Sequence, residues 1–429
     1  DFESIAAAIK PSTTSFSLST AQVSESGSAA YASQYDSNDW SGVVTARRLS
    51  FATDGTPSAV DAWTSTSKLA TQLGGTGWDT NRRVVTWSGS AGVPFRSTSG
   101  GVTSAQLALL ATTYGGTTTT ANYLDYLRGD QSREASRGGP FRNRTVLLGD
   151  VVNAKVTPVG PPNAPYGETL NPGYAAFKSA RATRPTMVYV GSNDGMLHAF
   201  NGSIVANDTE AGKEQFAYVP STLFNGPSGT PQVDGLAQLG NPNYTHHYYV
   251  DATPVVFDVD FNYAGGTFTT TGDGTNSDWR SIVIGGLGKG GRSYYAIDVS
   301  NPAAMTDEAT VAGKVLWEFT DTTMGYSYGP PVVVRTKKYG WVVVFTSGYK
   351  DGNNTDNGYL DFVNPRNGPL LEKVSTGEAA PGLTYASAYV QDFAKYESDA
   401  IYVGDLNGAV WRFDLTGAPD AGYYPTPVK

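Results

Sequence analysis

Apolar residues in this chain come in short unbroken runs that end in Gly, Asn or Asp, not at the spacing of long amphipathic helices. The sharpest case is Met187 to Gly202. It predicts a strand at Val188–Val190, a turn at Gly191–Gly195, a second strand at Met196–Phe200 and another turn at Asn201-Gly202. Asn-Asp-Gly between two β-rich runs is a strong hairpin signal, because these residues tolerate positive φ. The phrase returns three times. Ile282 to Gly286 leads to Arg292 to Asp298, Val342 to Gly348 leads to Gly358 to Phe362, and Ile401 to Gly408 leads to Ala409 to Asp414. Downstream, Gly212 to Tyr218, Gly313 to Phe319 and Gly368 to Val374 each read as the next, outer strand of the same unit.

Units of hydrophobic strand, Gly turn and aromatic strand predict an all-β chain of the β-propeller class, with a few short helices in the N-terminal part and in insertions. The units are spaced more widely than the ~40–50 residues of a plain blade, so they carry insertions. Four units are clear, and weaker strands lie between 84 and 160, including Thr145–Leu148 and Val156–Val159. Either the first 140 residues supply further blades or the ring is incomplete. Helical spacing occurs at Asp61 to Leu73, Ser104 to Leu110 and Ala121 to Leu127. The reading divides the chain into 1–36, a linker or surface-wrapping segment; 37–140, the N-terminal part of the propeller domain with short helices; and 141–429, the blades.

Composition narrows the function classes. With 50 Gly, 26 Tyr and only 16% charged residues, the chain is turn-rich and aromatic, a profile frequent in exported β proteins. A net charge of −9 disfavours nucleic acid or an anionic membrane as main partner. The absence of Cys excludes disulfides and thiolate chemistry, and three His make a His-rich metal centre hard to assemble. No apolar run is long enough to span a bilayer, and the opening Asp-Phe-Glu-Ser lacks the basic start of a signal peptide, as in a mature form or a fragment.

Several stretches carry a family likeness. Tyr189-Val-Gly-Ser-Asn-Asp-Gly-Met-Leu-His-Ala-Phe200 resembles the signature of PilY-type pilus biogenesis factors and tip adhesins, called PilC-type in some bacteria. Asp39 to Gly42, Tyr126 to Asp130, Arg142 to Arg144, Leu148 to Asp150, Phe216 to Pro220, Tyr248 to Asp251, Gly285 to Gly291, Leu316 to Phe319, Tyr402 to Gly408 and Trp411 to Asp414 agree with it in order. The resemblance implies a quinoprotein-like β-propeller of about seven blades, the last of them beyond Lys429. It also implies an N-terminal von Willebrand factor A-like domain of the same protein as partner, if the chain is a fragment. By the same likeness the protein would be a non-enzymatic type IV pilus adhesin and assembly factor. It would be exported through the periplasm to the pilus tip or outer cell surface. There it would act with minor pilins in extension, twitching and attachment to host or abiotic surfaces. The alternative is a quinoprotein-type dehydrogenase on the same fold; such enzymes typically stack the quinone between a Trp and a vicinal Cys pair, which this chain lacks. A periplasmic assembly scaffold would have shorter loops.

Members of this family commonly bind Ca²⁺ in a nine-residue loop, and the matching window here is Gln391 to Asp399. Ca²⁺ takes six or more oxygen ligands, and the alternate positions Phe393 and Lys395 supply none, so no Ca²⁺ is expected there. Asp351, Asn353, Thr355 and Asn357 do alternate oxygen-bearing side chains and form the Ca²⁺ candidate. They lack the glycine and bidentate Glu of a standard Ca²⁺ loop, and a solvated turn is the competing reading. Arg128, Gly129 and Asp130 form an integrin-type tripeptide, weighed against a scaffold role in the same motif. Gly286 to Gly291 mimics a phosphate loop, but an aromatic strand follows where a helix N-terminus is required. His198 reads as a core hydrogen-bonding residue, Asp194 as a turn-former, and His246-His247 as strand packing or, with Tyr244, Tyr248 and Tyr249, a partner surface.

Overall fold

The structure, a computed structural model, describes residues 22–23, 28–265, 267–268, 276–349, 357–417 and 427–429. Its core is a row of antiparallel sheets, each one a propeller blade. Thr157–Val159, Met187–Ser192, Met196–Asn201 and Glu214–Val219 form the first blade. Val255–Asp260, Trp279–Gly286, Tyr294–Asp298 and Val315–Phe319 form the second. The third is Val332–Thr336, Gly340–Thr346, Asn357–Val363 and Leu370–Ala379. The fourth has three strands among the described residues, Ala386–Val390, Ser398–Gly404 and Val410–Asp414.

Alternation within each apolar run explains the stacking, since successive side chains point to opposite faces of a sheet. On the first blade Met187 and Tyr189 face the second blade's Val283 and Tyr295. On the second, Ile282 and Ile284 face the third blade's Val343 and Phe345. On the third, Val342 and Val344 face the fourth blade's Ile401 and Trp411. A strand covered on both sides reads as a continuous hydrophobic run, which is why the repeats lack a polar alternation.

The first blade's remaining face, with Val188, Val190 and Phe200, is covered by a four-stranded sheet of Gln22–Val23, Ala29–Asp36, Ser41–Phe51 and Pro57–Thr64. Its strands therefore begin at least as early as Gln22, inside the 1–36 segment expected to be a linker or to wrap the surface. Ala29 to Asp36 is built from Ala, Tyr and Ser, so it carries little hydrophobic signal, yet it pairs along its whole length with Ser41 to Arg48. Helical spacing at Asp61 to Leu73 also proves to be composite. The sheet's last strand runs to Thr64, whose Oγ1 then accepts the Ser67 N–H and starts a helix at Ser65–Leu73. Helices occur at Ser104–Leu109 and Thr120–Arg128, as expected. Thr145–Leu148 is not a strand. It is a lead-in whose Leu148 carbonyl accepts the Gly42 N–H at 2.9 Å, and a Cβ on Gly42 would lie 2.1 Å from the Gly149 carbonyl oxygen. Val84–Trp87 adds to the first blade's outer strand in parallel, with Val84 opposite Ala217.

The fourth blade's outward face is exposed among the described residues, with Tyr385 at 64%, Tyr389 at 52% and Val410 at 62%.

One buried group departs from the apolar pattern. Asp361, opposite Phe345 on the third blade, is fully buried, and neither carboxylate oxygen has a hydrogen-bond partner. Burial raises its pKa from 3.8 to about 7, against a lowering by Lys373. The folded protein thus holds this proton more tightly than the unfolded chain, so the stability it contributes at acid pH is lost as pH rises through about 7. Asp361→Asn is therefore expected to change the melting midpoint little at pH 4 but to stabilise the protein by ~2–4 kcal/mol at pH 8. Thermal melts of both proteins across that range check it; equal midpoints at pH 8 would contradict the assignment.

Candidate functional site

The two ends of the blades differ. At one end lie the turns between second and third strands, fixed by buried charge. His198 projects from the third strand of the first blade, with Nδ1 2.6 Å from Glu214 Oε1 and Nε2 3.1 Å from Asp194. Glu214 in turn accepts from Arg82 Nε at 2.7 Å and Nη2 at 3.0 Å. Asp194 also accepts the Gly149 N–H at 3.1 Å, and Asn193 bonds Asp150 through Nδ2 at 2.7 Å and accepts the Tyr249 N–H at 2.9 Å. Burial alone would push the His198 pKa down, but Asp194 and Glu214 more than offset it and hold it at about 9. Burial would likewise raise Glu214, but Arg82 and His198 bring it to about 2. The hairpin turn is thereby riveted to the lead-ins of its own blade and the next.

Other residues singled out in the sequence lie nearby. His246 pairs with Asp150 at 2.8 Å, its ring 4.0 Å from that of Trp40. Gly288–Gly290 makes a single 3-10 turn before the strand at Tyr294, with no helix N-terminus, and a Cβ on Gly290 would sit 1.9 Å from the Tyr249 carbonyl oxygen. Arg128 ends its helix fully buried, donating to Glu308 at 2.6 Å and to the Phe95 carbonyl at 3.1 Å. Gly129 caps that helix at φ 119°, and Asp130 accepts the Ser132 N–H and hydroxyl at 2.8 Å each. Of the tripeptide, then, only Asp130 keeps a partly exposed side chain. Asp351, Asn353 and Thr355 lie outside the described residues; Asn357 begins a strand opposite Ala379.

The other end carries the loops between first and second strands, and here the insertions meet. Residues 160–186 leave the first blade and reach the fourth. Gly167 N–H and Asn171 Nδ2 donate to the Ala394 carbonyl at 2.9 and 2.7 Å. Arg335 Nη1 of the third blade donates to the Leu170 carbonyl at 2.5 Å and Asn171 Oδ1 at 2.8 Å. Beneath this crossing, Tyr166 packs on Trp279, Trp341 and Tyr396 with ring centroids 5.7, 5.2 and 5.2 Å apart. A cleft of about 300 Å³ opens on one side, lined by Pro161, Pro162, Arg184, Asp258 and Tyr396. Asp258, its pKa raised by burial, accepts from Tyr174 Oη at 2.6 Å and from Ser281 Oγ. A second cavity of about 170 Å³ lies on the other side, among Asp260, Tyr263, Trp279, Arg335 and Trp341.

Sequence reading passed over this crossing because its members are far apart in the chain. One signal was present: Trp279 and Trp341 stand at or next to the start of the second strand in two successive repeats. The Gln391 to Asp399 window forms the fourth blade's part of the crossing. Lys395 Nζ pairs with Glu397 at 3.0 Å and Asp392 Oδ1 accepts the Ala394 N–H at 2.9 Å. An ammonium group inside the loop does not fit a Ca²⁺ coordination shell.

Compared with known proteins, residues 148–423 match a family model described as the PilY1 beta-propeller domain. The type IV pilus biogenesis factor PilY1 of Pseudomonas aeruginosa (strain UCBPP-PA14) is 33% identical over 330 residues, 72% of this chain and 24% of that protein. A PilY1 homolog of Xylella fastidiosa (strain Temecula1) is 30% identical over 433 residues, 90% of this chain and 27% of that protein. The chain thus spans about a quarter of the length of these curated relatives. The crystal structure of the Pseudomonas aeruginosa PilY1 C-terminal domain is 29% identical, covers 60% of this chain and 45% of its own, and superposes with a TM-score of 0.43.

The buried chain from Arg82 to Asp194 yields a stability prediction. Glu214→Gln leaves the buried Arg82 guanidinium without its counter-charge and His198 with Asp194 alone, and is expected to cost ~3–5 kcal/mol. The His198 contribution is complete below its ordinary pKa of 6.5 and is lost as pH rises through about 9. That of Glu214 is complete above 4.5 and is lost as pH falls through about 2. Urea midpoints at pH 5.5 and 9.5 should show a larger alkaline loss for the parent than for His198→Gln; identical losses would contradict the geometry.

Proposed function

Because this chain belongs to the PilY1 β-propeller family, we propose that it is the binding and scaffold module of a type IV pilus biogenesis factor. It works at the pilus tip or outer cell surface, beyond the periplasm, where it engages minor pilins and the surface being colonised. The reading takes it as non-enzymatic, serving pilus extension, twitching and adhesion. The observation that carries this beyond family membership is the division of labour between the two blade ends. One end is locked by backbone clamps and buried ion pairs, and the other gathers long insertions around open clefts. A rigid body that presents loops is what recognition requires, because preformed loops lower the ordering cost of binding. No observation favours a quinone-dependent dehydrogenase, and the sequence has no Cys to stack a quinone in the manner of those enzymes.

Shortening the 160–172 loop within the full-length protein is expected to reduce surface attachment and twitching with no metabolic phenotype. Unchanged motility and attachment, or quinone-coupled dye reduction by the purified chain above background, would overturn the proposal. For the Arg128-Gly129-Asp130 motif, ligand binding rests on Asp130 alone, since Arg128 is committed to Glu308. Host-cell attachment that is indifferent to Asp130→Glu would end the integrin reading.

A further inference from the structure

The cleft of about 300 Å³ beside the loop crossing has its charged groups already satisfied. Arg184 donates through Nε and Nη2 to the Gly160 carbonyl and through Nη1 to Ser281 Oγ at 2.6 Å. Asp258 accepts from Ser281 Oγ with one oxygen and from Tyr174 Oη with the other. What the cleft leaves unspent are two phenols, those of Tyr166 and Tyr396. Among the described residues neither makes a hydrogen bond, and neither oxygen is sealed from solvent. Their rings stand 5.2 Å apart, edge to face. Tyr396 reaches this position on a left-handed backbone, φ 59°, which a bulky residue keeps only where its surroundings enforce it. The remaining wall is apolar, with Pro161, Pro162, Pro165 and Phe257.

We propose that this cleft docks a proline-rich segment of a partner protein, held in the polyproline II conformation. A charged ligand would lose its hydration here without gaining a counter-charge, since Arg184 and Asp258 are both engaged. The two free O–H groups ask for acceptors. Proline brings a carbonyl acceptor and no N–H, so it sets no unsatisfied donor against the apolar wall. A polyproline II chain has no internal hydrogen bonds, and its carbonyls recur every ~3.1 Å along the axis, so two of them can meet two neighbouring phenols. That conformation is preformed, which keeps the ordering cost of docking low, and aromatic-lined grooves suit it. The volume stands at the lower end of ligand pockets, ~300–1,000 Å³, which suits a short stretch of chain. Because the cleft lies on the loop-bearing blade end, the inference rests on the recognition role proposed above.

The test titrates the 429-residue chain with a synthetic oligoproline, and with a Gly/Ser peptide of equal length, in a calorimeter. Saturable binding of the oligoproline in the ~10–100 μM range is expected, with none of the flexible peptide. Tyr166→Phe combined with Tyr396→Phe removes two oxygens that no other described group uses. The double variant should therefore melt as the parent does and lose affinity at least tenfold. Tyr396→Phe alone should show a smaller loss, which keeps the test readable if the double variant melts early. Absence of saturable oligoproline binding, equal binding of both peptides, or full affinity in the normally melting variants overturns the site. Any of these results leaves the pilus role standing, because twitching and attachment are read in cells carrying the full-length protein. Loss of that role would conversely leave peptide binding measurable.

Discussion

The first three blades each have a strand pair that is apolar on both faces, and this single constraint orders the molecule. A sheet of that kind cannot stand alone in water; it needs a cover on each side. The second blade is covered by the first and third, the third by the second and fourth, and the first by the second and by the N-terminal sheet. Large aromatics occupy the seams, and truncating a fully buried one such as Trp341 would cost ~3–5 kcal/mol. Stability thus resides in the seams between blades, and the connecting loops are released from it.

That separation explains what could be read from the sequence. Hairpins, outer strands and the repeat were legible because Asn193-Asp194-Gly195 and its echoes are local signals, set by turn chemistry and period. The strand at Ala29–Asp36 was not, since Ala, Ser and Gln bury too little area to announce a strand, and only pairing with Ser41 to Arg48 makes it one. Thr145–Leu148 has the residues of a strand but no strand pairs along it; Asp39 holds it at Thr145 and the Gly42 N–H at Leu148. His198 reads as a core residue with a hydrogen-bonding role, and the structure adds the two carboxylates that keep it charged and the Arg82 guanidinium that holds one of them. The loop crossing was invisible for a topological reason. Tyr166, Asp260, Arg335 and Tyr396 belong to four different blades or insertions, and only the stacking of sheets gathers them.

The buried charges divide into two kinds. Arg82, Glu214, His198 and Asp194 are mutually satisfied, and their shifted pKa values all favour the charged forms. Asp361 is alone and is pushed towards its neutral form. Satisfied networks specify one arrangement, whereas an isolated carboxyl makes the seam between second and third blades sensitive to proton concentration.

The hydrogen bonds from Gly167 and Asn171 to Ala394 have a mechanical meaning. Stacked blades alone resemble a pile of plates, which a pull on one end separates a seam at a time. The 160–173 segment is a chord across that pile: it leaves the first blade, is held by Arg335 of the third on its way, and ends on the fourth. A load applied at the fourth blade is then shared by the chord and the three seams in parallel, so no seam opens until the chord gives way. Resistance to forced unfolding is governed by the slowest such rupture. A few bonds on a surface loop, negligible in an equilibrium measurement, would set the force at which the stack first yields.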